Sequence, residues 1–282
     1  MSLKEIAKQT LEMTKAGKFV TDSGQTIDFS REQKWAEANT QLYRPQNLDK
    51  LLSQDNLTHS TGPTPSIPPR IEVTDETTQA AAHRLVTAEN CTDLVLLNYA
   101  SARNPGGGFL NGAKAQEEDL ARCSGLYRCQ LQQPEYYEIN RQQRSLIYTD
   151  HLIYSPKVPW FRTQSRQRLD HFFLASIITA PAPNAGQVLR RQPDALPQIE
   201  ATLRRRAGYV LTVAADQGHR SLLLGAWGCG VFCNDPNRVA DAFGQWLDSP
   251  RFGGCFDRVV FGVYDSRKDR KVLKAFQNRF GT

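Results

Sequence analysis

The sequence has no apolar run approaching the roughly 20 residues that a membrane-spanning helix needs. Residues 1–20 also lack the apolar centre of a secretion signal, so a cytoplasmic location is expected. Metal-ligand patterns are missing too. The six cysteines (Cys91, Cys123, Cys129, Cys229, Cys233, Cys255) give one close pair, Cys229 and Cys233, and the five histidines lie far from it. A structural zinc site takes two such pairs or supporting histidines, so these read as buried or incidental thiols, with no metal and no cofactor expected. There is no internal repeat, and the one tight charge cluster, Arg204-Arg205-Arg206, reads as the solvated face of a helix. The net charge of +6 admits a polyanionic partner without requiring one. No RNP, zinc-finger or helix-turn-helix signature supports nucleic acid as that partner.

What is present reads as one α/β domain with an extension. Ile6, Leu11 and Met13 predict a helix over 3–16 ending at Gly17. Phe19-Val20, a turn at Asp22-Ser23-Gly24, then Ile27 and Phe29 form a hairpin, and Ser30 caps a second helix to about residue 40. Residues 61–69 hold four prolines and read as a linker, because proline lacks an N–H and fixes φ. Residues 1–69 are therefore expected to be a mainly helical extension packed on a core of residues 70–282. Within that core, strands are predicted at 71–73, 94–99, 147–148, 152–154, 172–178, 222–224 and 259–264. Helices are predicted over 76–88, 114–128, 197–217, 236–248 and 268–279. Such alternation implies a three-layer α/β/α domain.

Two loops stand out, each following a central strand, where ligands of α/β sheets bind. The first runs from Asn98 through Gly106-Gly107-Gly108. Three consecutive glycines forfeit side-chain contacts and cost backbone entropy. They suit a site where backbone N–H groups approach a phosphate or sugar, although a mobile surface turn would also use them. No Lys-Ser/Thr pair follows, which excludes a Walker loop. Next come Gln116-Glu117-Glu118-Asp119, whose acids could simply complement a helix dipole. Consecutive helical residues point about 100° apart, so Glu117 and Glu118 cannot straddle one bond as a glycosidase pair. If both act, their tasks differ. The second loop, Gly225-Ala226-Trp227-Gly228-Cys229-Gly230-Val231-Phe232, precedes a helix beginning near Asp235-Pro236 and reads as a diphosphate cradle at a helix N-terminus.

Gly106-Gly107-Gly108, seven further residues, then Gln116-Glu117-Glu118 resembles the GGG…QEE signature of poly(ADP-ribose) glycohydrolases. The segments 98–101, 154–159, 180–184 and 225–236, with the N-terminal helices, are similar to the bacterial (microbial-type) branch, so the likeness spans nearly the whole chain. The resemblance implies a macrodomain with a mixed central sheet. Its substrate would be poly(ADP-ribose), including polymer on ADP-ribosylated proteins, and its product ADP-ribose; separately from the resemblance, a monomer is expected. The resemblance further implies Glu118 as general acid, Glu117 on ribose hydroxyls, and Gly106, Gly107, Gly108 and Gln116 beside the scissile linkage. Asn98 and Phe232 would meet the distal ribose, and Gly225, Gly228, Cys229, Gly230 and Val231 the diphosphate. The adenine end would lie near Thr74-Asp75-Glu76 and Tyr264-Asp265. An ADP-ribose reader without catalysis would lack the paired glutamates, and a mono-ADP-ribosyl hydrolase would act on a different linkage. These are the alternatives.

Overall fold

The computed structural model describes residues 1–54, 68–164 and 167–281. Most of the predicted linker at 61–69 lies outside them. The strands are β1 Lys18–Val20, β2 Thr26–Asp28, β3 Gln41–Tyr43, β4 Arg70–Thr74, β5 Leu94–Tyr99, β6 Leu152–Gln164, β7 Gln167–Ala180, β8 Ser221–Gly225 and β9 Arg258–Gly262. The helices are α1 Leu3–Ala16, α2 Ser30–Ala38, α3 Pro45–Ser53, α4 Thr78–His83, α5 Gln116–Cys123, α6 Leu126–Gln130, α7 Pro134–Gln142, α8 Ala185–Arg191, α9 Leu196–Asp216, α10 Pro236–Leu247 and α11 Lys271–Phe280.

Seven strands form one mixed sheet in the order β3-β6-β7-β5-β8-β9-β4, with β1 and β2 forming a separate hairpin. The pairs from β7 to β4 are parallel, while β3–β6 and β6–β7 are antiparallel. Central strands carry near-continuous apolar runs, Leu94–Leu97 in β5 and Leu222–Leu224 in β8, because both faces are covered. In β5, Val95 and Leu97 join the core shared with α9, α10 and α11, while Leu94 and Leu96 join the core shared with α4, α5 and α6. Leu222 and Leu224 in β8, with Leu223 between them, divide in the same way. The parallel strands deliver their carboxyl ends, and the loops that follow β5, β8 and β9, to one edge of the sheet.

The N-terminal segment does more than pack on the core. β3 is an edge strand of the main sheet, with Leu42 opposite Ile153, and sequence reading missed it because three residues carry too little pattern. Ala7 and Leu11 of α1 pack with Phe109, Ala121 and Tyr127, directly behind the first glycine loop. Thr10 Oγ1 donates to the carbonyl of Arg122 at 3.0 Å and accepts from buried Arg162 at 2.9 Å, joining α1, α5 and β6.

Several predicted boundaries are corrected. The helix expected over 114–128 breaks between α5 and α6, because Ser124 bridges to Trp160 and the Gly125 amide donates to the Pro159 carbonyl at 2.9 Å. Ile147-Tyr148, predicted as a strand, is not one: Leu146 and Ile147 form a turn and Tyr148 follows in irregular backbone. The helix expected over 76–88 is α4 followed by a π-helical turn at Arg84–Ala88. Helices α7 and α8, not anticipated, flank that turn and the second glycine loop.

Candidate active site

The loops after β5, β8 and β9 enclose a cleft of about 910 Å³. Glu117, Glu118, Gln116, Gly107 and Gly108 line one end, and Gly228, Cys229, Gly230, Val231 and Phe232 line a wall. Tyr264 also lines it, 63% exposed.

The carboxylates sit in the first turn of α5 and are treated differently. Glu117 is 3% exposed. Its Oε1 accepts from Asn98 Nδ2 at 3.1 Å and Gln130 Nε2 at 2.8 Å, and its Oε2 accepts from the Ser101 amide at 2.6 Å. Burial pushes its pKa up to about 8, against the opposing pull of those three donors. Glu118 is half-buried, with Oε1 accepting from the Gly108 amide at 2.8 Å and no protein partner on Oε2 among the described residues. One oxygen is thus anchored while the other is left for the cleft.

The glycine triplet serves these carboxylates in an unexpected way. All three amides are already engaged: Gly106 donates to Gln130 Oε1 at 2.8 Å, Gly107 to the Asn104 carbonyl at 3.0 Å, and Gly108 to Glu118. The expectation that their N–H groups contact phosphate or sugar is therefore corrected. Their lack of side chains matters instead. A Cβ on Gly107 would sit 2.3 Å from Glu118 Oε1, and φ is +63° at Gly106 and +58° at Gly107, a region that L side chains rarely adopt.

Two further residues expected to contact substrate have their side-chain amides engaged by the protein. Asn98 is fully buried and does not line the cleft; it holds Glu117 and donates to Thr179 Oγ1 at 3.2 Å. Gln116 lines the cleft, but its amide is engaged with the Tyr99 N–H at 2.8 Å, the Leu97 carbonyl at 2.9 Å and Thr78 Oγ1 at 3.2 Å. It splices the start of α5 onto β5 and sets the direction in which the glutamates leave the helix.

In the second loop, the amides of Gly228, Gly230, Val231 and Phe232 find no protein acceptor among the described residues. Gly225 is glycine for packing, since a Cβ there would fall 2.1 Å from the Tyr99 hydroxyl. Gly228 has φ +72° and is held by Asn234, whose Nδ2 donates to the Gly228 carbonyl at 3.1 Å and the Pro183 carbonyl at 2.8 Å. The N-terminus of α10 is not part of the cradle, because Asp235 caps it by accepting from the Asn237 and Arg238 amides. The anion-binding groups are thus the loop's own N–H groups.

At the predicted adenine end, Glu76, Tyr264 and Asp265 line the cleft, but Thr74 and Asp75 do not. Asp75 is paired with Arg270. Asp265 accepts from Arg267 and from the Val272 amide at 2.8 Å, and the Arg267 hydrogen bond is the main cause that brings its pKa down to about 2. Sequence reading also missed Tyr148, which lines the cleft with its ring centroid 6.1 Å from that of Phe232. Its φ is +63°, a conformation that costs a tyrosine on the order of 1–3 kcal/mol. Among the described residues no group of three His, Cys, Asp or Glu side chains is placed to hold a metal ion.

Two carboxylates with separate settings, in a cleft also lined by amides that lack protein acceptors among the described residues, equip the chain as a hydrolase of the glycosidase type. The catalytic-domain model of microbial-type poly(ADP-ribose) glycohydrolase (PARG) matches residues 7–163. The chain is 43% identical to the PARG of Thermomonospora curvata, with 99% of each chain covered and a TM-score of 0.91. The same enzyme bound to the inhibitor ADP-HPD matches at 42% identity, 99% coverage of both chains and a TM-score of 0.89. The Deinococcus radiodurans PARG in complex with ADP-ribose matches at 45% identity over 88% of this chain and 96% of that one, with a TM-score of 0.79. No curated protein matches the chain. The chain belongs to the microbial-type poly(ADP-ribose) glycohydrolase family.

Proposed function

We propose that this poly(ADP-ribose) glycohydrolase cleaves the acetal between C1″ of one ribose and the 2′-oxygen of the next nucleoside, with Glu118 as the proton donor. The observation that carries this is the half-anchored Glu118 carboxyl, fixed through one oxygen by the Gly108 amide and open to the cleft through the other. Bond breaking develops oxocarbenium character at C1″ while the leaving oxygen takes a proton from Glu118. The resulting carboxylate then accepts a proton from the attacking water, so one group serves both halves of the reaction. Glu117 has three of its roughly four hydrogen-bonding positions taken by Asn98, Gln130 and Ser101, which leaves one on Oε2, on the Gly107 side, to bond a ribose hydroxyl.

The free amides of Gly228, Gly230, Val231 and Phe232 suit a diphosphate, and Phe232 presents a ring to the distal ribose. The described side chains supply acid, base and binding groups without a cofactor. A monomer in the cytoplasm, acting on free polymer and on polymer attached to proteins, is part of the same reading. The test is to incubate the protein with adenine-labelled poly(ADP-ribose) and resolve the products. Release of ADP-ribose is expected, whereas ADP-ribose binding with intact polymer would make the protein a reader.

A further inference from the structure

The segment that presents Tyr148 is held by several hydrogen bonds and has no part in proton transfer by Glu118. Arg206, in the middle of α9, is fully buried yet spends its guanidinium on this segment. It donates to the carbonyls of Ile147 at 2.7 Å, Tyr148 at 2.9 Å and Pro181 at 2.7 Å, and to Asp150 Oδ1 at 2.6 Å. On the other side, buried Asn140 of α7 accepts from the Thr149 amide at 2.9 Å. Residues 147–150 are thereby gripped from α9 and α7, with Arg206 itself anchored on Pro181 and Tyr148 held in the left-handed region at φ +63°.

Packing does not explain the arrangement. The Tyr148 ring is outside the buried cores, its one aromatic neighbour is Phe232, and its hydroxyl has no hydrogen-bond partner among the described residues. An aromatic residue held in a disfavoured backbone conformation, facing a cleft with a free hydroxyl, has the character of a ligand contact. We propose that Tyr148 is a substrate-contacting residue that closes the ribose end of the cleft with Phe232. Its ring lies along the sugar and its hydroxyl is a hydrogen-bonding partner for it, and Arg206 is the positioning residue that sets its direction. The inference rests on the placement of the distal ribose against Phe232.

The substitution that separates function from packing is Tyr148→Gly, because glycine takes the left-handed conformation without strain. Its melting temperature should be unchanged or higher, while kcat/KM on poly(ADP-ribose) falls about 10- to 100-fold through loss of sugar orientation. Tyr148→Phe should lose a smaller factor. Arg206→Lys should lower kcat/KM in the wild-type background but cost little further activity in the Tyr148→Gly background, even though its effect on melting temperature persists. Wild-type kcat/KM in a folded Tyr148→Gly protein would overturn the proposal and leave the Glu118 mechanism intact, and fully additive losses in the double variant would overturn the role of Arg206. Should Arg206→Lys fail to fold, Tyr148→Gly decides the matter by itself. A wild-type control that binds ADP-ribose without cleaving polymer would overturn both the proposal and the reading beneath it.

Discussion

The two glycine-rich loops of the cleft use glycine for opposite ends. In the loop after β5 every amide of the triplet is engaged by the protein, and the missing side chain of Gly107 makes room for Glu117 and Glu118. α1 backs this loop through Ala7 and Leu11, and Gln130 of α6 holds the Gly106 amide. In the loop after β8 the amides of Gly228, Gly230, Val231 and Phe232 have no protein acceptor among the described residues, a Cβ on Gly230 would meet nothing within 4 Å, and Val231 is 81% exposed. The first loop is a finished mould for catalytic groups, whereas the second offers bonds that only a ligand completes. Glycine runs of similar appearance can thus be catalytic framework or anion cradle, and the fate of the N–H groups distinguishes them.

The same substitution in both loops should break this symmetry most sharply. Gly107→Ala places a methyl group 2.3 Å from Glu118 Oε1 at φ +58°. It should cut polymer hydrolysis by at least about 100-fold, the scale expected when a reacting group is displaced. Gly230→Ala should change it no more than a few-fold. Equal losses in kcat/KM for the two variants would contradict the division of labour. Of intermediate size, Phe232→Ala should lower kcat by up to about 100-fold with a weaker effect on ADP-ribose affinity, read by calorimetry beside turnover. A large fall in melting temperature with normal turnover in the cold would make Phe232 a packing residue instead.

The smallest effect concerns pH. Glu117 has its folded pKa raised from 4.5 to about 8 by burial, so the stability it contributes is fully present below about pH 4.5 and is lost as pH rises through about 8. Glu117→Gln does not titrate there, and its melting temperature should gain on wild type between pH 4.5 and pH 8. A difference independent of pH would mean that Glu117 keeps an ordinary pKa.

Much of this was legible in the residues. The unbroken apolar runs at Leu94–Leu97 and Leu222–Leu224 mark strands covered on both faces, and the loops that follow them line the cleft. What could not be read is what depends on partners distant in sequence. Asn98 looked like a ligand contact at a strand end, but its neighbours Glu117 and Thr179 make it a support. Asp75 is drawn away by Arg270, almost 200 positions on. Tyr148 was assigned to a strand because Ile147-Tyr148 is apolar and aromatic. Its backbone is bonded instead by buried Arg206, one of three arginines whose sequence pattern reads as a solvated face. β3 and the break between α5 and α6 escaped for the same reason, since both are fixed by pairing to β6.

The central claim is that Glu118 moves the proton while its surroundings bind the substrate. Glu118→Gln keeps the size of the side chain and its ability to accept from the Gly108 amide, but has no acidic proton to give. General acid–base transfer contributes about 10²–10⁴-fold, so polymer hydrolysis should fall by at least that order while ADP-ribose affinity stays nearly unchanged. Turnover by Glu118→Gln at the wild-type rate, measured on the same labelled polymer, would contradict the mechanism.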